Sequence, residues 1–144
     1  MTLPDVPTLV AIASIVGTVP TAILPFRMQR EIDMARRGEN TWVPWAERLL
    51  LIAAALSLIT VLLPMLLGFG ALNWVLRGST AVLAATIILV AGYPLALLAH
   101  YRFILSHGRK GPRVNPEPGE YLVVVWTAAA ALAVGGFCFW KSGI

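Results

Sequence analysis

The chain has 144 residues, of which 58% are hydrophobic and only 12% charged. A soluble domain usually carries about 25% charged residues and keeps roughly a third of its surface wet, so these proportions exclude an ordinary soluble fold and point to an integral membrane protein. Lys and Arg outnumber Asp and Glu by 11 to 7, but they sit between apolar runs, as membrane topology requires, and do not form a nucleic-acid-binding face. The single Cys138 and the two histidines exclude a disulfide framework and a structural zinc site.

Four runs lack Asp, Glu, Lys, Arg and His: Val6 to Phe26, Leu49 to Leu76, Gly78 to Ala99 and Tyr121 to Trp140. About 20 apolar residues cross a bilayer as a helix. Leu49–Leu56, Ala81–Ala91 and Val123–Val134 are apolar nearly all round, unlike the one-sided helices of a soluble bundle. The pattern predicts an all-α integral membrane protein. Its four transmembrane helices, over about 6–27, 47–68, 79–99 and 120–140, form a compact, proline-kinked antiparallel bundle in a single domain.

The first segment follows Met1–Asp5, which lacks the basic stretch of a signal peptide, so it is expected to be retained as a span. Asp5 is placed to cap it. Past Phe26, Met28, Ile32 and Ala35 fall at helical spacing, and Arg27–Glu31 and Asp33–Arg37 are i,i+4 pairs. The first helix is therefore expected to run on to Gly38, as a wet extension or a docking arm. Asn40 or Thr41 is the expected cap of the second helix, Ser79 or Thr80 of the third. The fourth begins at Asn115-Pro116 or Gly119-Glu120. Trp42, Trp45, Trp74, Tyr101, Tyr121 and Trp140 lie near span ends, as an aromatic belt requires. Trp126 lies deeper and is expected to face a neighbouring helix.

Arg27, Arg30, Arg36, Arg37 and Arg48 flank the first connection, and Arg102, Arg109, Lys110 and Arg113 occupy the third; only Arg77 and Lys141 fall on the other side. The positive-inside rule then places loops 28–46 and 100–119 in the cytoplasm of a bacterial inner membrane, with both termini outside. The glycines and prolines of 108–119 deny the third connection a long helix, and its basic stretch is suited to anionic headgroups.

Pro20, Pro25, Pro64 and Pro94 lie inside spans. Each frees the carbonyl four residues earlier, those of Val16, Thr21, Thr60 and Val90, and in lipid these need a donor from the protein. With Thr18 nearby, Thr21, Tyr93, Trp126 and Thr127 are candidates to line a lipid or ligand pocket, rimmed by Arg27, Arg48, Arg102 and His100. Ala11, Ser14, Thr18 and Thr21 form a small-residue stripe beside Ala13-x3-Gly17. Ala129-x3-Ala133 and Ala131-x3-Gly135 repeat the pattern on the last helix. Such faces let helices approach closely.

No acidic residue lies within the four runs, which argues against a proton-coupled carrier. No paired intramembrane histidines or acid–base set suggests a haem, a catalytic residue or any other cofactor. Two families of similar size are set aside. Small multidrug exporters carry a glutamate in their first helix, where Val6–Phe26 has none. Arg30, Arg36, Arg37 and Asn40 resemble a segment of the membrane-bound glutathione and eicosanoid enzymes, whose following glutamate is replaced by Trp42, Val43 and Pro44. The pattern favours a non-enzymatic accessory or assembly subunit, in contact with membrane lipids and either homo-oligomeric or part of a larger complex. The alternatives are an oligomeric small-solute channel or carrier, and an enzyme or binder acting on a lipid-like substrate at the inner leaflet.

Overall fold

The computed structural model describes residues 3–38, 45–105 and 118–143, with the side chains of residues 31, 34 and 100–105 outside the description. Five α-helices follow one another: α1 (Val6–Arg36), α2 (Ala46–Leu56), α3 (Leu63–Leu66), α4 (Asn73–Leu105) and α5 (Pro118–Lys141). A π-helical turn over Ser57–Leu62 joins α2 to α3. These elements make four stretches long and apolar enough to cross a membrane: Val6–Arg30, Ala46–Leu66, Asn73–Ala99 and Pro118–Lys141. No strand occurs among the described residues. The chain is an all-α, multi-pass membrane protein.

Asp5 does cap α1. Its carboxylate accepts the Thr8 N–H at 3.1 Å, and hydrogen bonds from Thr8 hold its pKa below the usual carboxylate range. The helix runs to Arg36 and stops at Gly38, whose φ of +72° suits a residue without Cβ. At the far end of the second span, Gly68 at φ +80° closes α3, and a short 3₁₀ turn, Phe69–Ala71, leads into α4. α4 begins at Asn73, earlier than the expected cap at Ser79 or Thr80. Ser79 is instead a helix-interior residue with a different partner.

That partner is the carbonyl freed by Pro64. The proline cannot donate to Thr60 O, and the preceding turn widens so that the Leu63 N–H reaches Leu58 O, five residues back. The buried Ser79 hydroxyl of α4 donates to Thr60 O across the helix interface at 3.4 Å. Six hydroxyls close on their own helices. Ser14, Thr18, Thr21, Thr60, Thr80 and Thr86 donate to carbonyls three or four residues earlier. These hydroxyls are thus satisfied without a polar path forming between the helices.

α4 is the hub, packing on α1, α2 and α5. Two cores result. Ala46, Leu50, Ala53, Leu89, Tyr93, Val124 and Ala131 join α2, α4 and α5. Leu9, Ala13, Val61, Met65, Val75 and Leu83 join α1, the π turn, α3 and α4. Small residues set the spacing. A Cβ at Gly92 would fall inside the Thr127 side chain, and one at Gly135 would meet Ala81 O and Ala85 Cβ at 3.2 Å. Of the two α5 stripes, Ala131 and Gly135 face α4 while Ala129 and Ala133 are exposed. On α1, Ala13 and Gly17 are buried, Gly17 against Ser57, while Ala11, Ser14, Thr18 and Thr21 are exposed.

Gly92→Leu is expected to force α4 and α5 apart and cost about 1–3 kcal/mol. Gly136→Ala, with nothing near its Cβ position, is expected to be neutral. Unfolding of the two variants in detergent micelles checks the contrast.

Candidate functional site

The densest polar cluster lies where α1, α2 and α5 meet at the Arg-rich end of the bundle. Arg27 of α1 donates through Nε to Glu47 Oε1 of α2 at 2.9 Å, with both side chains about nine-tenths buried. Glu120 of α5, fully buried, accepts the Ala46 N–H at 2.9 Å. It thereby caps α2 from 74 residues away in sequence. Both glutamates sit in the first turn of their helices, where the helix dipole favours a negative charge. Arg48 lies over the Trp45 ring at 3.9 Å from its centroid, and Trp45 meets Tyr121 edge-to-face at 5.5 Å. Tyr93 is buried in the hydrophobic core shared with Ala46 and Trp45.

Arg27 reaches beyond α1 to Glu47 on the next helix, while the side chain of Glu31, its expected local partner, lies outside the described residues. The expectation that no acidic residue lies within an apolar span is corrected at Glu47 and Glu120. The structure places both in the apolar spans and buries them. Their sequence signal was slight: an acid in the first turn of each apolar run, opposite an arginine-rich connection. The expected cap at Asn40 or Thr41 lies outside the described residues, as do the His100 and Arg102 side chains and His107.

The proposed pocket residues divide. Arg27 and Arg48 belong to the clasp just described, with Arg48 exposed. Thr21 is exposed on α1, its hydroxyl tied to Gly17 O and Thr18 O. Trp126 is 68% exposed, facing outward and not a neighbouring helix. Trp126 and Thr127 share an apolar groove between α4 and α5 with Ile88, Gly92, Leu95 and Leu122. Thr21 and Tyr93 are not among its lining residues.

At the opposite end, Arg77 donates to Phe139 O at 3.3 Å and stacks on the Phe139 ring. It closes the last turn of α5, where a cation is favoured. Among the described residues no three His, Cys, Asp or Glu side chains group as metal ligands. No protein-family model, curated protein or solved structure matches the chain.

Removing Arg27 strands Glu47 at a buried position. Arg27→Ala is expected to cost about 3 kcal/mol, and the Arg27→Ala/Glu47→Ala double variant to recover much of it. Glu120→Gln keeps an acceptor for the Ala46 N–H, whereas Glu120→Leu removes it. Faster amide exchange at Ala46 in the leucine variant alone checks that role.

Proposed function

We propose that this protein is an accessory or assembly subunit of a larger membrane complex, held by other transmembrane helices against the outer faces of α1 and α5. The observation that supports this reading is the exposure of Ala11, Ser14, Thr18 and Thr21 on α1, a low, smooth seam left uncovered by the bundle. Ala129 and Ala133 offer a second such face on α5. Small-residue seams are where membrane helices approach most closely, because lipid tails give helices no hydrophobic reason to associate. The hydroxyls along the seam already bond their own helix, so a partner helix meets no unsatisfied donor. This same arrangement speaks against the channel alternative, since the described hydroxyls do not line a shared polar route.

The membrane is proposed to be a bacterial inner membrane. The clasp end, with loops 28–46 and 100–119, faces the cytoplasm and both termini face outward. In a Cys138→Ala background, Ser142→Cys is expected to react with a membrane-impermeant maleimide on intact cells. Arg37→Cys is expected to react only after permeabilisation, and the reverse pattern would invert the topology.

The subunit reading is tested at native expression level. Photocrosslinkers at Ser14 and Ala133 are expected to capture a membrane protein that also co-purifies at fixed stoichiometry in nanodiscs, while one at exposed Leu98 is not. Ser14→Leu with Thr18→Leu is expected to release that partner. A chain that purifies alone, with no crosslink from either seam, overturns the proposal.

A further inference from the structure

The groove between α4 and α5 has a volume of about 380 Å³ and lies wholly within the two membrane spans. Its origin is the close contact of Gly92 with Thr127. Where the helices touch there, Ala91 and Ala130 leave space beside the contact, and Leu95 and Trp126 stand as walls. No charged side chain lines it. Thr127 sits nine residues after Pro118, about 13 Å along the helix from the clasp end at 1.5 Å per residue. Anything occupying the groove therefore enters sideways from the hydrocarbon.

One lining group is polar and unanswered. Thr127 is only 8% exposed, and its hydroxyl has no hydrogen-bond partner among the described residues. The other intramembrane threonines described above spend their hydroxyls on their own helices. A hydroxyl without a partner is costly in an apolar medium. An apolar cleft with one or two placed polar groups is the usual form of a small-molecule site.

We propose that this groove binds a neutral, membrane-dissolved lipophile that carries a carbonyl or hydroxyl group in an otherwise apolar body. Thr127 meets the polar group, and the Trp126 ring covers the apolar body. The absence of lining charge selects against a phosphate or carboxylate headgroup. The groove's walls are apolar save for Thr127 and the edge of Trp126, which suits a small molecule with one polar group.

The probe is 2,3-dimethyl-1,4-naphthoquinone, compared with 2,3-dimethylnaphthalene, which has the same bicyclic carbon frame without carbonyls. Binding is read by native mass spectrometry of the full chain in nanodiscs. The quinone is expected to bind saturably, one per chain, and more tightly than the hydrocarbon. Thr127→Val is expected to weaken quinone binding roughly fivefold, the scale of one net hydrogen bond, and to leave the hydrocarbon unaffected. Ala130→Leu, which fills the groove, is expected to abolish quinone binding. Ala91→Leu makes the same test from α4 should either α5 variant lose its helical content.

Non-saturable binding overturns the proposal, as does quinone binding untouched by all three substitutions. Equal affinity for quinone and hydrocarbon overturns the role of Thr127. Interchain crosslinks through Trp126 would assign the groove to a second copy and likewise overturn it.

Discussion

In a bilayer the backbone has no water to turn to, so every amide and carbonyl must be satisfied within the protein. The rest of this structure is arranged around that constraint. Helices meet it along their lengths, and the problem concentrates at their ends and at prolines. Pro64 frees a carbonyl within the second span, and the Ser79 hydroxyl of the neighbouring helix answers it. The first amide of α2, that of Ala46, finds Glu120 of α5. Arg77 covers the Phe139 carbonyl in the last turn of α5. In each case satisfying one helix requires a side chain from another, so the polar needs of single helices also define how the helices assemble.

The clasp at the Arg-rich end shows the same economy with charge. Glu47 and Glu120 are tolerable at buried positions because each sits at a helix N-terminus and each has a donor in place. Arg27 ties α1 to α2 while Glu120 ties α5 to α2, so α2 is gripped from both sides at its start. The aromatic contacts of Trp45 with Arg48 and Tyr121 close the same end. Away from the clasp, cohesion passes to small residues, with Gly92 and Gly135 letting α5 lie directly on α4. The groove beside Thr127 is a by-product of that tight approach, because the residues that permit contact at one point leave space beside it.

Much of the architecture was legible in the chain. Runs without charge located the spans, Asp5 and Gly38 marked the limits of α1, and the proline rule identified Thr60 O as a carbonyl in need of a donor. These features depend on near neighbours in sequence, and near neighbours are visible there. The candidate site was less legible. Thr21, Tyr93 and Trp126 share a depth in the membrane but point in different directions, because depth is read from position along a span whereas direction depends on how each helix is rotated. Helices that are apolar on every side carry little sequence information about rotation.

By itself, the sequence determined that this is a four-span helical membrane protein, because the bilayer sets span length and excludes charge from its core. Only the tertiary structure decided which small-residue faces are buried, that Arg27 pairs with Glu47 on another helix, and that Glu120 belongs to the interior. Those outcomes rest on contacts between helices, as the 74 residues separating Glu120 from Ala46 illustrate. No local pattern encodes which of several polar partners a rotated helix will bring within hydrogen-bonding reach.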